Sequence, residues 1–198
     1  TETGLNTAIS PEEILERPGS VGKVFANNDL IIYDEQENEV PDNERGILYM
    51  HNPIMMDGYY KNDEATTEAY RGKHMTAGDI AIRDEDGYYY IVDRVKDMII
   101  RGGVNIYPIE IESVIIRMPG VDDVAVVGRP DKELGEVVAA FVVANKEMPA
   151  SEDEIVSYCL KEMANVKAPS SIVFVDELPR TPTGKILKRE LREYFDAG

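Results

Sequence analysis

The chain has 198 residues, enough for one ordinary domain or two small ones, and its 38 acidic and 21 basic side chains give a formal net charge of −17. This acidic balance argues against nucleic acid or an anionic membrane as the main partner. The longest apolar runs have the length of strands, so no transmembrane segment is expected, and a single cysteine, Cys159, predicts a cytoplasmic protein without internal disulfides.

The N-terminal stretch is predicted to be mostly irregular. Residues 1–28 are rich in Gly, Pro, Asn and Ser, with one helical turn at SPEEILE. Two β-prone runs, DLIIYD and GILYMHN, follow on either side of a polar turn. Next, NDEATTEAYRG predicts a short helix that is capped by Asn62 or Asp63 and stopped by Gly72.

A β-hairpin is the strongest local prediction in the first half. In DIAIRDEDGYYYIVDR, Asp86-Gly87 supplies the positive φ of a tight turn, and β-prone residues lie on both sides. Residues 1–93 are therefore predicted to form a β-rich unit. The sequence pattern changes in DRVKD, residues 93–97, which we interpret as the domain boundary.

The second half mixes strands and helices. DMIIR predicts a brief strand and GGVN a turn. YPIEIESVIIRM predicts a helix with Pro108 in its first turn. Its apolar side chains recur at helical spacing, at Ile111, Val114, Ile115 and Met118. DDVAVVG and EVVAAFVVA predict the two strands that follow.

The rest of the chain adds two helices and a strand. SEDEIVSYCLKEMANV begins with a capping box, Ser151 to Glu154, and contains Cys159, which we interpret as a core residue rather than a nucleophile. SIVFVDEL predicts a strand and GKILKRELREYF a final helix. The order β-α-β-β-α-β-α predicts a compact α+β domain over residues 94–198. The predicted fold class is thus α+β, with a small β-rich subdomain ahead of this domain.

Two loop motifs carry side chains suited to chemistry, and each has a plainer explanation. Gly184-Lys185 is predicted at the start of the final helix, where the lysine either reaches an anion across a cleft or belongs to a solvated basic face. Asp79 in TAGD suits the two hydroxyls of a ribose, or it bonds its own backbone in a turn. Arg94 lies at the far end of the same hairpin, so its side chain is expected at the same edge as Asp79.

A glycine pair and two histidines complete the candidates. In RGGVN, Gly102 and Gly103 allow either a close backbone approach or a simple sharp turn. His51 and His74 lack the spacing of metal ligands, and we assign them no chemistry.

Each motif is weak alone, but their order and spacing are specific. Taken together, five motifs resemble those of the adenylate-forming superfamily, and within it those of the acyl- and aryl-CoA synthetases. The motifs are TE, GYY, T-x-GD, DRxKD-x-I-x-x-GG-x-N-x-x-P-x-E-I-E and P-R-T-P-T-G-K-I-x-K. The resemblance runs from Thr1 to Arg192. It implies that residues 1–93 are the β-rich last subdomain of the large AMP-binding domain and that residues 94–198 are the mobile C-terminal domain.

The resemblance also implies roles for individual positions. Lys185 matches the catalytic lysine that meets the carboxylate and the α-phosphate during acyl-adenylate formation. The matches in the AMP/ATP-binding group are Thr1 beside the AMP phosphate, Asp79 and Arg94 as the ribose-binding pair, and Lys96 at the hinge about which the C-terminal domain rotates. Glu2 matches the glutamate associated with Mg²⁺, and Gly102 and Gly103 match the pantetheine tunnel for coenzyme A.

The implied reaction has two steps at one site. A carboxylic acid and ATP form an acyl-adenylate with release of diphosphate, and coenzyme A then takes the acyl group and releases AMP, as in fatty acid metabolism. Lysine and Mg²⁺ offset negative charge in the first step. Rotation of the C-terminal domain exchanges Lys185 for the CoA tunnel before the second step.

Two motifs and two missing parts depart from the family pattern. The usual Thr-Gly-Asp reads AGD at 77–79, which keeps the aspartate but loses a hydroxyl, and the usual Gly-Glu-Leu reads GIL at 46–48. The Ser/Thr/Gly-rich phosphate loop and the acyl pocket, which lie upstream in the family, are missing. We therefore expect the chain to be the C-terminal part of a synthetase, to need the N-terminal part as its partner, and to be inactive alone.

Two other functions stay open. One is an adenylation domain that loads a carrier protein, although RGGVNIYPIEIE differs from the Arg-Gly-x-Arg-Ile-Glu pattern usual there. The other is a non-catalytic binding module of the same fold, against which the joint presence of Lys185, Asp79 and Arg94 counts. The identity of the carboxylic acid is not specified by these residues.

Overall fold

The computed structural model describes residues 2–196, and the chain divides into two compact units between Lys96 and Asp97. Both units contain strands and helices, which confirms the predicted α+β fold class. The interpretation of residues 1–93 and 94–198 as named parts of an AMP-binding enzyme stays a prediction. Within the described part of the chain, no helix combines the length and the apolar character needed to cross a bilayer.

The first unit is mainly antiparallel sheet. Its described elements are β1 (Thr7–Ala8), α1 (Pro11–Glu16), β2 (Lys23–Val24), β3 (Asp29–Tyr33), β4 (Arg45–His51), α2 (Asp63–Ala69), β5 (Tyr70–Arg71), β6 (His74–Met75), β7 (Asp79–Arg83) and β8 (Tyr89–Arg94). Six of the strands form one sheet in the order β5-β6-β4-β7-β8, with β3 paired to β4. β1 and β2 form a separate ribbon.

The β7–β8 hairpin confirms the prediction made from Asp86-Gly87. Gly87 has a φ of +81°, and the Asp84 carboxylate accepts hydrogen bonds from the Asp86 and Tyr88 amides at 3.1 and 2.8 Å. The predicted cap of α2 is also confirmed, because the Asn62 side chain accepts a backbone hydrogen bond from the first helical turn.

The N-terminal segment is more ordered than predicted. PEEILE forms the six-residue helix α1, whose start is fixed by a capping box between the N-cap residue Ser10 and Glu13. Further on, Gly22 bridges to Tyr89 on β8, and a Cβ at Gly22 would lie 2.1 Å from the Ala8 carbonyl oxygen. The predicted helix at SPEEILE is confirmed, whereas strands β1 and β2 were not predicted, because two-residue strands leave no periodic signal in the sequence.

One hydrophobic cluster of the first unit lies on one face of its sheet. Leu30 and Ile32 are buried and alternate with half-buried neighbours along β3, the period of two expected for a sheet with one covered face. The core consists of Leu30, Ile32, Val40, Leu48, Met50, Ala81 and Tyr89. Ala81 of β7 and Tyr89 of β8 belong to this core, so the β7–β8 hairpin is packed against the rest of the unit.

The second unit has a five-stranded sheet with helices on both faces. Its described elements are β9 (Ile99–Arg101), β10 (Val104–Ile106), α3 (Pro108–Ile115), β11 (Val121–Asp131), β12 (Gly135–Ala144), α4 (Glu152–Glu162), β13 (Ser171–Phe174) and α5 (Lys188–Asp196). The order is β10-β9-β12-β11, with β13 also paired to β12. β13 runs parallel to β12, and α4 makes the crossover between them.

Two cores cover the two faces of this sheet. Along β11, Val124 and Val126 enter the core that contains α3 and α4, whereas Ala125 and Val127 enter the core that contains Leu191 of α5. This alternation explains why the predicted strands DDVAVVG and EVVAAFVVA are nearly continuous apolar runs, since both of their faces are buried.

The α4 segment agrees with the prediction. The Ser151 side chain accepts from the Glu154 amide and the Glu154 carboxylate accepts from the Ser151 amide, which is the predicted capping box. Cys159 is fully buried in the core, and burial raises the pKa of its thiol to about 11. Cys159 is therefore confirmed as a core residue and is unsuited to act as a nucleophile.

Several element boundaries differ from the predictions. Helix α2 ends at Ala69, before the predicted stop at Gly72, because Tyr70–Arg71 form β5. Helix α3 begins at Pro108 as expected but ends at Ile115 rather than reaching Met118. GGVN is not only a turn, because Val104 starts the short strand β10. The final helix begins at Lys188 and not at Gly184. Strands of three residues and frayed helix ends are the features that sequence patterns specify least.

Candidate functional site

Asp79 and Arg94 lie together at the open end of the β7–β8 hairpin. They are cross-strand partners, and Arg94 Nε lies 3.2 Å from Asp79 Oδ1. The side chains are 29% and 43% exposed, so this carboxylate and guanidinium are accessible to a ligand. The structure thus brings together the two residues that sequence spacing placed at one edge.

The loop before Asp79 is fixed by backbone contacts to the same strand end. Arg94 Nη2 donates to the Ala77 carbonyl at 2.9 Å, and the Val95 amide donates to the Gly78 carbonyl at 2.8 Å. The Gly78 amide in turn donates to Thr76 Oγ1 at 2.9 Å. Thr76, the threonine of the T-x-GD motif, therefore supplies a hydroxyl to this loop, a contact that was not predicted from the sequence.

Glu2 belongs to the same unit as Asp79 and Arg94. A hydrogen bond from its own backbone amide is the main cause of the lowered pKa of the Glu2 carboxyl, and the charge of Arg94 is a minor one. The Glu2 carbonyl accepts from the Met56 amide at 2.9 Å, which ties this end of the chain to the loop after β4. Glu2 is consequently ionised at neutral pH. The other predicted residue of this segment, Thr1, lies outside the described residues.

The segment after Glu2 is anchored by buried polar side chains that the sequence analysis missed. Asn52 donates from Nδ2 to the Thr3 carbonyl at 2.6 Å, and both residues are buried. Asn6 also donates to the Thr3 hydroxyl at 2.8 Å. A buried amide with satisfied partners holds a backbone in one place, so the backbone next to Glu2 is fixed.

Lys96 is exposed and lies in a short 3₁₀ turn, Val95–Asp97, at the junction of the two units. The residue after it, Asp97, forms an ion pair with Arg192 of α5 at 2.9 Å. Lys96 is thus the last residue before a chain segment that is tied into the second unit.

Gly102 and Gly103 form the two-residue turn of the β9–β10 hairpin. Both have positive φ, +56° and +81°, the backbone that a tight hairpin turn of this length requires. The Gly102 amide donates to the Leu134 carbonyl at 2.8 Å. The turn is therefore rigidly built, and its two glycines present no side chain.

Lys185 does not begin the final helix, contrary to the prediction. Residues 180–187 form a hairpin in which Arg180 pairs with Ile186, and α5 starts only at Lys188. The basic, amphipathic pattern of GKILKRELREYF favoured a helix from Gly184, but the turn sequence before it determines the local backbone.

The turn itself follows from its residue types. The Gly184 amide donates to the Thr181 carbonyl at 2.9 Å, which closes a four-residue β-turn. Pro182 and Gly184 occupy the second and fourth positions, where proline and glycine are favoured. Gly184 has a φ of +86°.

Both backbone groups of Lys185 are bonded to one residue. The Lys185 amide donates to Thr181 Oγ1 at 3.1 Å, and the Lys185 carbonyl accepts from the Thr181 amide at 2.8 Å. Lys185 is exposed. A fixed backbone with an exposed ammonium group is an arrangement suited to holding an anion at a defined place.

The two histidines lie close to each other, although their sequence spacing gave no sign of it. Their rings make an edge-to-face contact with centroids 5.9 Å apart, and His74 Nε2 lies 3.0 Å from Asp29 Oδ2. Lys73 shares the same carboxylate at 2.8 Å. The cluster joins β3, β4 and β6, so its contacts serve the sheet.

The predicted site residues fall into two groups by unit. Glu2, Asp79, Arg94 and Lys96 belong to the first unit, and Gly102, Gly103 and Lys185 belong to the second. The first group offers the Asp79 carboxylate and the Arg94 guanidinium at the end of the β7–β8 hairpin, together with the Glu2 carboxylate. The second group offers the turn formed by Gly102 and Gly103, and Lys185 directly after the turn of residues 181–184.

Two family models match the chain. The model described as AMP-binding enzyme matches residues 1–60, and the model described as AMP-binding enzyme C-terminal domain matches residues 110–185. The chain is also 42% identical over 194 residues to a long-chain-fatty-acid–CoA ligase of Mycobacterium tuberculosis. That match covers 98% of this chain but only 38% of the ligase.

Solved structures give the same result for the fold. The ATP-bound crystal structure of MatB from Rhodopseudomonas palustris matches 99% of this chain with a TM-score of 0.90 and 35% identity. The o-succinylbenzoate CoA synthetase MenE of Bacillus subtilis, in complex with an acyl-adenylate intermediate, matches 96% with a TM-score of 0.86 and 33% identity. In both cases the chain covers 39% of the solved protein.

Proposed function

The chain belongs to the AMP-binding, adenylate-forming enzymes, and we propose that it is the C-terminal part of an AMP-forming acyl-CoA synthetase. The synthetase would convert a carboxylic acid, ATP and coenzyme A into acyl-CoA, AMP and diphosphate through an acyl-adenylate. The similarity to a CoA ligase over 98% of this chain supports the proposal. The rest of the synthetase would include an N-terminal part that carries the phosphate loop and the acyl pocket.

The observation that carries the proposal is the geometry of Lys185. Its backbone amide and carbonyl are both held by Thr181, and the residue itself is exposed. In the proposed reaction the ammonium group would contact the substrate carboxylate and the α-phosphate. A positive charge that is already in place stabilises the negative charge that develops in the transition state, and no reorganisation is then needed.

Asp79 and Arg94 would bind the ribose of the nucleotide. The Asp79 carboxylate has two acceptor oxygens, which suits the two hydroxyls of a ribose. The contact of Arg94 Nη2 with the Ala77 carbonyl keeps the guanidinium beside that carboxylate. This support is independent of Lys185, because the ribose does not take part in the chemistry.

Glu2 fits the role of a Mg²⁺ ligand. Its carboxyl has a lowered pKa and is ionised at neutral pH, as a magnesium ligand must be. Among residues 2–196, no group of three or more His, Cys, Asp or Glu side chains is placed to hold a metal. Mg²⁺ commonly binds through one or two carboxylates together with substrate phosphates. The ion would offset phosphate charge, and Glu2 would hold it on the protein side.

Gly102, Gly103 and Lys96 would serve the second step. The glycine turn presents backbone without side chains, which lets the narrow pantetheine arm of coenzyme A pass close to the chain. Lys96 would be the hinge about which the second unit rotates between the two steps. The thiol of coenzyme A would then attack the acyl carbonyl and displace AMP.

The proposal is tested on the full-length protein that contains this chain. Exchange of labelled diphosphate into ATP is measured with aliphatic acids of several lengths and with aromatic acids, and thioester formation is then measured with free coenzyme A. We expect exchange with at least one acid and an acyl-CoA product. The 198-residue chain alone should form no acyl-CoA.

The two alternatives give different results in the same assays. Exchange without any CoA thioester, but with acylation of a carrier protein, would identify a carrier-loading adenylation domain. No exchange with any acid would leave a non-catalytic module and would contradict the proposal. The cytoplasmic location expected from Cys159 stays part of the proposal.

A further inference from the structure

The turn of residues 181–184, which directly precedes Lys185 and is called the Lys185 turn below, is attached to the sheet of the second unit through two hydrogen bonds of one arginine. Arg180 Nη1 donates to the Gly184 carbonyl at 2.7 Å. Arg180 Nη2 lies 2.5 Å from Asp123 Oδ2. One guanidinium therefore joins the residue before Lys185 to strand β11, which is distant in sequence.

Asp123 lies at an irregular point of β11. The register between β11 and β12 shifts between Val121 and Asp123. The Asp123 carboxylate also accepts from the Val124 amide at 2.9 Å through Oδ1. The backbone of β11 thus fixes one carboxylate oxygen, and the other oxygen holds Arg180.

We propose that Arg180 and Asp123 are positioning residues that set the place of Lys185 for adenylate formation. This inference rests on the proposed function. Arg180 uses one N–H on each terminal nitrogen to hold Gly184 and Asp123, and the proposal assigns it no contact with the reacting atoms. It acts through the turn, whose Gly184 carbonyl directly precedes the Lys185 amide.

The exposure of Arg180 and Asp123 distinguishes a role in positioning Lys185 from a role in folding. Arg180 is 42% exposed and Asp123 33%, and exposed ion pairs contribute little to stability. A misplacement of about 1 Å in an active site costs about 100-fold in rate. The contact is therefore expected to matter more for catalysis than for folding.

A second ion pair of the same region serves the fold instead. Lys188 Nζ lies 2.7 Å from Glu112 Oε1, and that oxygen also accepts from the Val126 amide at 2.8 Å. Lys188 and Glu112 are only 14% and 18% exposed. This pair satisfies a backbone amide of β11 and fixes the start of α5, so its loss would act on stability first.

Arg180 requires a guanidinium. Its two nitrogens reach a carbonyl and a carboxylate that lie on different segments, and a lysine ammonium is a single point without this fork. We expect Arg180→Lys to restore little of the activity that Arg180→Gln loses. Asp123→Asn keeps an acceptor atom but not the charge, so an intermediate loss is expected.

A matched control lies nine residues further along the chain. Arg189 carries the same charge and contacts Glu193 in the next helical turn at 3.6 Å, with both side chains largely exposed. Arg189→Gln removes one positive charge from the same basic segment without touching the turn. An effect of net charge alone would appear in both variants.

The first test uses the 198-residue chain and does not depend on activity. Backbone ¹⁵N relaxation reports the order parameters of Gly184 and Lys185. We expect values near 0.85 in the wild type and in Arg189→Gln, and values below about 0.6 in Arg180→Gln, with the rest of the second unit unchanged. Order parameters of the turn that are the same in all three proteins would overturn the proposal.

The second test uses the full-length protein and separates the two half-reactions. Adenylate formation in Arg180→Gln should fall about 10- to 100-fold, while thioester formation from supplied acyl-adenylate stays within about twofold of the wild type. Equal rates for Arg180→Gln and Arg189→Gln would overturn the inference. A wild type without diphosphate exchange would refute the proposed function instead. The relaxation data alone would then show whether Arg180 positions the turn before Lys185.

Discussion

Arg94 and Asp79 face each other across β7 and β8, with the guanidinium Nε 3.2 Å from the carboxylate Oδ1. The same Arg94 also donates to the Ala77 carbonyl. Arg94 therefore orients the carboxylate and the loop that precedes it at once. A nucleotide that binds here would meet a preformed surface rather than one that has to be ordered on binding.

The role of Asp79 is tested by Asp79→Asn in the full-length protein. The change keeps the shape of the side chain and removes its charge, so the hydrogen bonds to the ribose weaken. Hydrogen bonds to charged groups contribute about 1.5–3 kcal/mol, and we expect the KM for ATP to rise about 10-fold or more.

The matched control is Asp42→Asn, which breaks an ion pair with Arg83 at the other end of β7, at 2.5 Å. It should leave the KM for ATP unchanged. Equal effects of the two substitutions on KM would mean that Asp79 only supports the sheet.

Gly184→Ala tests the backbone conformation of the Lys185 turn. Gly184 has a φ of +86° and no atom within 4 Å of an added Cβ, so the strain comes from the backbone alone. We expect a loss of about 1 kcal/mol in stability or slightly more, and a fall in adenylate formation.

Gly19 provides a closely matched comparison, with a φ of +85° and equally open space around an added Cβ. Gly19→Ala should cost similar stability and leave both half-reactions unchanged. A catalytic loss of the same size at Gly19 would show that general destabilisation explains the result.

The carboxyl of Glu13 gives a prediction about pH. The Tyr88 hydroxyl, together with the backbone and hydroxyl of Ser10, lowers the Glu13 pKa from 4.5 to about 2. Because the folded-state pKa is depressed, the stabilisation is complete above pH 4.5 and is lost as the pH falls towards 2.

A ¹³C titration of the Glu13 carboxyl checks this prediction. We expect a midpoint near pH 2 in the wild type and a midpoint shifted towards 4.5 in Tyr88→Phe, which removes the first of these donors. The same midpoint in both proteins would show that Tyr88 does not stabilise the ionised carboxyl.

Lys96→Pro tests the hinge. Proline fixes φ near −65° and removes the backbone N–H, so the dihedral change needed for rotation is blocked. If the locked state is the adenylating one, thioester formation should fall while diphosphate exchange persists. Lys96→Ala is the control, because it removes the side chain and leaves the backbone free. Wild-type rates for both steps in Lys96→Pro would place the hinge elsewhere.

Local signals in the sequence predicted much of the fold. Asp86-Gly87 gave the β7–β8 hairpin, and the Ser151–Glu154 pair gave the start of α4. These predictions succeeded because each depends on residues within a few positions of one another. The cross-strand contact of Asp79 with Arg94 followed from the hairpin register once the turn was placed.

The site around Lys185 was harder to predict. Two local signals competed there, the turn sequence TPTG and the helical pattern that follows it, and the turn was underestimated. The contact of Arg180 with Asp123 joins residues 57 positions apart, and no local pattern specifies it. Thr76 was noted in the T-x-GD motif, but the contact of its hydroxyl with the Gly78 amide was not predicted, because a loop threonine commonly bonds a backbone amide two residues on.

The central claim is that Lys185 acts in adenylate formation and not in thioester formation. The most direct measurement compares Lys185→Ala with Lys146→Ala, an exposed lysine of the same unit, in both half-reactions of the full-length protein. Diphosphate exchange in Lys185→Ala should fall about 100- to 1,000-fold, as for the loss of one preorganised charged contact. Acyl-CoA formation from supplied acyl-adenylate should stay close to the wild-type rate, and Lys146→Ala should leave both steps intact. An equal loss in the two steps for Lys185→Ala would contradict the account and make Lys185 a structural residue.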